Sequence, residues 1–247
     1  MANDTLVSGA ELPGVWKRTL LVDEAGSEDA ESEVYWLQST KLCGDIRKHL
    51  RPSTMADLAA NNGAPMMDAF AGELIETDGV FRWKASLSYR DPNGQPDEGR
   101  LSWIGDDLDE HGVHSAYRER WVRIAPASSH DFALALRHPE GGRQCWVVKV
   151  GPLLFFAREL APAPGGTEFS LFDMAPDAPR LVLSTATPDQ AMCPWVEFAD
   201  DERRTVRLSP WTERAGRAGE IWHVAAMEGC ADAFGGDLNP PSIAGHE

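Results

Sequence analysis

The amino-acid sequence predicts an all-β protein made of two antiparallel β-barrels. Three observations lead to this fold class. Apolar and polar side chains alternate with a period of two along most of the chain, as in half-buried antiparallel strands. Clusters of glycine, proline and aspartate separate these segments at intervals of about 8 to 12 residues, which is typical of sandwiches and barrels. Segments with helical periodicity are scarce.

The clearest strand in the first half is GVFRWKASLSY, residues 79–89. The turn-forming segment DPNGQPDEG follows it and leads to a second strand, RLSWIG, so the two strands are expected to form a hairpin with a long loop. Further strands are predicted for VWKRTLLVD, SEVYWLQS and YRERWVRI. The alternation in residues 79–89 predicts one inner face made of Phe81, Trp83, Ala85, Leu87 and Tyr89.

The best helix candidate covers residues 53–74, STMADLAANNGAPMMDAFAGEL, with Ser53 or Thr54 as its cap. The run Asn61-Asn62-Gly63 and Pro65 are expected to divide it into two short pieces. The side chains expected to close one end of the first barrel are Met66, Met67 and Phe70.

The second half repeats the strand pattern. Its predicted strands are QCWVVKV, PLLFFARE, TEFSLFD, RLVLSTA, CPWVEFA, RTVRLS and EIWHVAAM. Residues 124–131 form the least periodic stretch near the middle, which predicts two units, residues 10–125 and 130–230. EVYWLQSTKLCGDIR resembles QCWVVKVGPLLFFAR, with Arg47 matching Arg158, and this suggests an internal repeat.

Composition narrows the classes of function. The chain has 247 residues and a formal net charge of −16, with nine Trp and nine Phe to supply a core. This charge argues against nucleic acid or an anionic membrane surface as partner. No apolar run approaches the roughly 18 residues of a membrane span. The partner expected is a small-molecule ligand, with no nucleic acid and no membrane, and the sequence leaves the oligomeric state open.

The N-terminal sequence MANDTLVSGAELPG lacks the pattern of a signal peptide, which predicts a cytoplasmic protein. Its four cysteines lie far apart and form no CxxC pair, so free buried thiols are expected. The chain contains no GxSxG, P-loop, GxGxxG or HExxH motif, and we therefore expect no cofactor. The cysteines are Cys43, Cys145, Cys193 and Cys230.

Gly14-Val15-Trp16 at the start of the first strand resembles the Gly-x-Trp motif of lipocalins and calycins. VYWLQSTKLCGDIR, AFAGEL, DPNGQPDEGRLSWIG and YRERWVRI extend the resemblance to a family of lipocalin-like bacterial proteins, similar to a yeast casein-kinase-interacting protein of two such barrels. The resemblance covers mainly residues 12–124. It implies two lipocalin-like barrels, with Trp16 closing the base of the first and Arg123 or Arg120 packing over it. It implies no established activity.

Polar residues that alternate into an aromatic face mark a candidate site in the first half. In YRERWVRI, Tyr117 and Glu119 share a face with Trp121. A carboxylate between two rings either anchors a ligand, acts as a general base, or forms an ion pair with Arg18 or Arg47. Asp45 and Arg47 share a strand face. They form either a local pair or a clamp for a carboxylate or enolate.

The expected lining of the pocket adds aromatic residues that offer a ring or a phenol to a ligand: Tyr35, Trp83 and Tyr89. His111 and His114 form an HxxH pattern, but on a strand their side chains point to opposite faces, so no metal site is predicted. His223 lies on the face of Ile221 and Ala225 and is expected to be a buried histidine of the second barrel.

Three functions fit these residues. The first is binding of a small, partly apolar ligand, aromatic or anionic, inside the first barrel. The second is a cofactor-free acid–base enzyme, such as an isomerase, lyase or hydratase, with Glu119 as base and Tyr117 and Arg47 stabilising negative charge. The third is an interaction scaffold whose barrels are packed solid. A cavity with a paired Glu119 would favour binding, and an unpaired Glu119 would favour catalysis.

Overall fold

The computed structural model describes residues 7–50, 66–90, 94–161, 166–175, 177–213 and 219–229. These residues form two antiparallel sheets and two short 3₁₀ turns, Gly9–Glu11 and Trp211–Glu213. The predicted all-β class is confirmed. Within the described ranges there is no α-helix, and hence no helix long and apolar enough to cross a membrane.

The first sheet closes on itself. Its strands follow the order β2-β1-β3-β4-β5-β6-β7-β8-β9, and β1 also pairs with β9, so the eight longer strands form a closed barrel. The narrowest seam joins β6 to β7 through two residue pairs, Phe81 with Gly99 and Arg82 with Glu98. The strands are β1 (Gly14–Val22), β2 (Glu28–Asp29), β3 (Glu33–Gln38), β4 (Leu42–His49), β5 (Met66–Thr77), β6 (Val80–Ser88), β7 (Glu98–Ile104), β8 (Asp107–Gly112) and β9 (Arg118–Pro126).

The second sheet curls without closing. Its order is β14-β13-β12-β11-β10-β17-β16-β15, and the described residues show no pairing between β14 and β15. The second of the two predicted barrels is thus a curled half-barrel. The strands are β10 (Phe132–Arg137), β11 (Gln144–Val150), β12 (Leu153–Glu159), β13 (Thr167–Met174), β14 (Pro179–Ser184), β15 (Pro194–Phe198), β16 (Thr205–Pro210) and β17 (Glu220–Gly229).

Trp16 lies in the interior of the first barrel and is fully buried. Its Nε1 donates to the Leu12 carbonyl oxygen over 2.8 Å, and its ring stacks on Trp36 with centroids 6.0 Å apart. The Arg123 guanidinium lies 4.4 Å from its ring centroid, which favours a cation–π contact. Of the two arginines expected from the lipocalin resemblance, Arg123 packs over Trp16. Trp16 is therefore a buried residue of the barrel core, as the resemblance implies.

An apolar core joins the outer face of the first barrel to the second sheet. Ile46 and Leu37 lie in it beside Phe155, all fully buried. Gly44 makes the close approach possible, because a Cβ atom there would lie 2.2 Å from the Phe155 ring. The Glu228 carboxylate of β17 also accepts the backbone N–H of Lys41 at 2.9 Å. The second sheet therefore supports β4, the strand that carries Asp45 and Arg47 on its other face.

The predicted helix over residues 53–74 is wrong in its described part, since Met66–Thr77 is strand β5. Residues 53–65 lie outside the described residues. In β5, Ala69 and Ala71 pack toward the second sheet, while Phe70 packs into the barrel core. Burial of alternate residues on opposite faces is typical of a strand. In β5 this burial on both faces outweighs the helical spacing of Met66 and Phe70.

The predicted single inner face of residues 79–89 is also corrected. A β-bulge shifts the register of β6 against β5 between Ala85 and Leu87. Phe81 and Trp83 therefore point into the barrel, whereas Leu87 packs into the core against the second sheet. A bulge inserts one extra residue and reverses the alternation beyond it.

Candidate functional site

A cavity of about 540 Å³ lies inside the first barrel at the end where β4 finishes and β9 begins. Charged and aromatic side chains from β1, β3, β4, β6, β8 and β9 meet there because each points inward at its position in the strand. The lining residues are Arg18, Leu21, Asp23, Glu24, Trp36, Asp45, Arg47, His49, Trp83, Asp97, Glu110, Ser115, Tyr117, Glu119 and Trp121.

Three indoles form the apolar part of the cavity. The Trp36 ring meets Trp83 edge to face at 5.5 Å between centroids, and it meets Trp121 in the same way at 5.8 Å. Hydrogen bonds fix two of the rings, since Trp36 Nε1 donates to Gln38 Oε1 and Trp121 Nε1 donates to Glu110 Oε2, each at 3.0 Å. The result is an aromatic wall in which hydrogen bonds hold two of the three rings.

Glu119 is buried and paired. Arg18 donates from Nη1 to Glu119 Oε1 over 2.6 Å and from Nη2 to Asp29 Oδ2 over 3.1 Å. Arg18 is itself buried, at 4% exposure. Of the alternatives for Glu119, the structure shows the ion pair with Arg18.

Arg47 and Asp45 form the second ion pair of the cavity. Arg47 Nε donates to Asp45 Oδ1 over 2.5 Å, while its Nη2 lies 4.0 Å from Asp97 Oδ2. Burial raises the pKa of Asp45 to about 6, against the opposing effect of the Arg47 guanidinium. The local pair is thus present, and the side of Arg47 that would clamp an anion faces Asp97 instead.

Glu110 is a site residue that the sequence analysis did not identify. It is 3% exposed, and its carboxylate accepts a 2.7 Å hydrogen bond from the Tyr117 hydroxyl as well as the Trp121 N–H bond. Burial, reinforced by the charges of Glu119 and Asp97, raises the pKa of Glu110 well above its usual range.

The acidic run around Glu110 has the composition of an exposed turn, yet it is strand β8. A two-residue turn at Gly105 and Asp106 joins β7 to β8, pairing Ile104 with Asp107. Gly105 has a φ of 66°, which suits a tight hairpin turn. Counting alternate residues from the buried Leu108 places Glu110 inside. That short turn is the sequence signal that could have identified the residue.

His49 completes the polar lining at the end of β4. Burial, together with the positive charges of Arg47 and Arg18, lowers the pKa of His49 to about 4. The imidazole is therefore neutral at pH 7, and it adds a hydrogen-bonding group to the cavity without adding positive charge.

The structure brings together five of the seven residues proposed from the sequence for the site: Asp45, Arg47, Trp83, Tyr117 and Glu119. The expected positions of the other two, Tyr35 and Tyr89, are corrected. Tyr35 packs on the outer face against the core between the sheets, because β3 turns Val34 and Trp36 inward. Tyr89 lies beyond the bulge and meets Phe169 of the second sheet at 6.4 Å.

The histidines of the HxxH pattern bind carboxylates separately. His111 Nε2 lies 2.9 Å from Asp109 Oδ2, and His114 Nε2 lies 2.8 Å from Glu98 Oε2. Among the described residues no group of three His, Cys, Asp or Glu side chains could hold a metal ion. His223 is exposed, since β17 turns Trp222 inward, so its expected burial is corrected.

Comparison with solved structures gives a match across both sheets. The crystal structure of the uncharacterised protein YLR301w from Saccharomyces cerevisiae is 16% identical, with a TM-score of 0.58, and the match covers 88% of this chain and 99% of that one. At this identity the likeness shows a shared fold alone. A barrel fold is consistent with the lipocalin resemblance of the sequence. No family model and no curated protein matches the chain.

Proposed function

We propose that the first barrel binds a small, partly aromatic ligand in its internal cavity. The cavity volume of about 540 Å³ carries the proposal. Ligand sites enclose about 300–1,000 Å³ and combine an apolar wall with a few converging polar groups. Here the wall consists of indoles, and the polar groups are held in place by ion pairs and hydrogen bonds.

Binding has more support than catalysis. Glu119 is held by a 2.6 Å bond from Arg18 to its Oε1, and a paired Glu119 is the arrangement expected of a binding cavity. Arg47, proposed to stabilise negative charge, is engaged by Asp45. The same cavity disfavours a solid scaffold in the first barrel.

The remaining sequence-based assignments extend this proposal. We assign ligand binding to the unit of residues 10–125 and treat residues 130–230 as a second unit. The boundary lies between Pro126, the last residue of β9, and Phe132, the first residue of β10. We also propose a cytoplasmic location, which agrees with the free thiols of Cys43, Cys145 and Cys193.

A blocking substitution tests the proposal. Leu21 lines the cavity, so Leu21→Trp should fill it, while Val182→Trp adds the same side chain at a 38% exposed position of β14. The probe is indole, a neutral ring, observed by saturation-transfer NMR. Native mass spectrometry of the purified proteins shows any ligand that is retained.

We expect the wild type and Val182→Trp to bind indole and Leu21→Trp to lose it. Melting temperatures establish that both variants fold, and Leu21→Phe replaces Leu21→Trp if the larger ring prevents folding. Equal indole signals in the blocked and control variants, or no signal in the wild type, would overturn the proposal.

A further inference from the structure

The cavity contains more negative than positive side chains. Its six lining carboxylates face two guanidinium groups, Arg18 and Arg47, and the neutral His49. The carboxylates are Asp23, Glu24, Asp45, Asp97, Glu110 and Glu119. Both guanidinium groups are already engaged, because Arg18 bonds Glu119 and Asp29, and Arg47 bonds Asp45.

Of the three buried carboxylates in the lining, Asp45 and Glu119 pair with arginines and Glu110 does not. No ion pair of the described residues includes it, and its two oxygens accept bonds only from the neutral Tyr117 hydroxyl and Trp121 indole. It is nevertheless 97% buried, the complement of its 3% exposure. A buried carboxylate without a counterion is costly, which is why the pKa of Glu110 is raised well above its usual range. A cation beside Glu110 would lower that pKa and stabilise the ionised form.

The indole faces provide a second, independent observation. In the described part of the chain, protein cations lie over Trp16, Trp103 and Trp222. None lies over the three indoles of the cavity, Trp36, Trp83 and Trp121. An indole face within about 6 Å is the most favourable aromatic partner for a cation, and the contact strengthens when water is excluded.

We infer that the ligand of the first barrel is a small aromatic cation, with its positive group beside Glu110 and its ring against the three indoles. The inference rests on the proposed function and names the class of ligand. An anionic ligand would compete with Asp45 and Asp97 for Arg47, and it would meet the surplus carboxylates. A neutral ring would offer Glu110 no charge-assisted hydrogen bond.

Three indole compounds of similar size test the sign of the charge. They are tryptamine, a cation at pH 7; tryptophol, its neutral counterpart; and indole-3-acetate, an anion. Isothermal titration with the full chain should give tryptamine an affinity at least about tenfold above that of tryptophol, because a charge-assisted bond and cation–π contacts are added. Indole-3-acetate should bind more weakly than tryptophol.

Glu110→Gln tests the position of the charge. An amide of the same shape can accept from Trp121 and donate to Tyr117, so the variant is expected to fold. Its affinity for tryptamine should fall about tenfold while its affinity for tryptophol stays unchanged, since a charge-assisted bond is lost. Glu197→Gln on β15 removes the same charge at an exposed site of the second sheet and should change neither affinity.

The outcomes separate this inference from the proposed function. Equal affinities for tryptamine and tryptophol, or tighter binding of indole-3-acetate, would overturn the inference and leave the binding cavity in place. An unchanged preference for tryptamine in Glu110→Gln would overturn the assignment to Glu110. If none of the three compounds binds while indole still binds in a Leu21-dependent way, the inference fails and the proposed function stands.

Discussion

The two sheets share one plan of strand pairing and differ in what lines them. In the first, β1 pairs with β3 and β9; in the second, β10 pairs in the same way with β11 and β17. The seam between β6 and β7 has two residue pairs, and the corresponding seam between β14 and β15 has none in the described residues. The second sheet is therefore the first barrel opened at its narrowest seam.

The interiors differ at matching positions. On β4 the inward residues Asp45 and Arg47 line the cavity; on β12 the corresponding pair is Phe156 and Arg158. Arg158 reaches across to Glu168 on β13, 2.8 Å away, while Phe156 is fully buried in the apolar core. Where β4 has a carboxylate, β12 has a phenyl ring, and the cavity beside that ring is smaller, about 370 Å³ against about 540 Å³ in the first barrel. The shared fold does not set the lining of each interior.

The largest expected effect comes from giving the second sheet the residue of the first. Phe156→Asp removes a fully buried ring and buries a carboxylate. Loss of the ring alone costs about 3–5 kcal/mol, and the buried charge adds to it, so we expect loss of folding or a destabilisation above about 5 kcal/mol. Urea unfolding measures this.

The reciprocal change, Asp45→Phe, serves as the comparison. We expect it to retain the fold, because the new ring extends the indole wall into an existing cavity, and to abolish indole binding. If Phe156→Asp were as stable as the wild type, the interior of the second sheet would not be the packed core described.

A smaller effect is expected where the two sheets meet. Gly44→Ala places a Cβ atom 2.2 Å from the Phe155 ring. Overpacking of this kind costs about 1–3 kcal/mol. The double variant Gly44→Ala, Phe155→Leu should recover part of that loss, because the smaller side chain leaves room for the methyl group. Additive losses in the thermal unfolding of the two single variants and the double variant would show that the residues do not touch.

Much of the fold was predictable because burial on one face of a strand imposes a period of two on the sequence. That period located most of the strands and the inward pair Asp45 and Arg47. It failed at Tyr89, where the bulge in β6 reverses the facing without any change in residue type. It also failed at Met66 and Phe70, whose helical spacing was outweighed by pairing of β5 on both sides.

The site was predictable in part for a related reason. Tyr117 and Glu119 stand out as polar groups that alternate with Trp121. Glu110 does not, because it lies among acidic residues whose composition is that of a solvated turn. The sequence could not show which arginine pairs with Glu119 either. The choice between Arg18 and Arg47 depends on the stagger of β1 against β9, which is set by the bulges in their pairing.

The smallest expected effect concerns acid stability, and it contrasts the cavity with the outer surface of the second sheet. The pKa of His49 is lowered to about 4 in the folded chain by burial and by the charges of Arg47 and Arg18. Between pH 4 and about 6.5 the unfolded chain therefore binds a proton that the folded chain does not, so stability present above pH 6.5 is lost as the pH falls toward 4. Asp45 acts in the opposite direction.

Since the pKa of Asp45 is raised to about 6, its contribution to stability is present below about pH 4 and is lost as the pH rises through 6.

His49→Gln removes the effect of His49 and leaves that of Asp45. Between pH 7 and pH 4.5 the variant should therefore gain about 1 kcal/mol relative to the wild type, allowing for the partial exposure of His49. For a chain of this size that is a relative rise in Tm of about 2–4 °C. His223→Gln, the same change at an exposed position of β17, is the matched control. A constant Tm difference between His49→Gln and the wild type across this range would mean that the cavity does not hold His49 neutral.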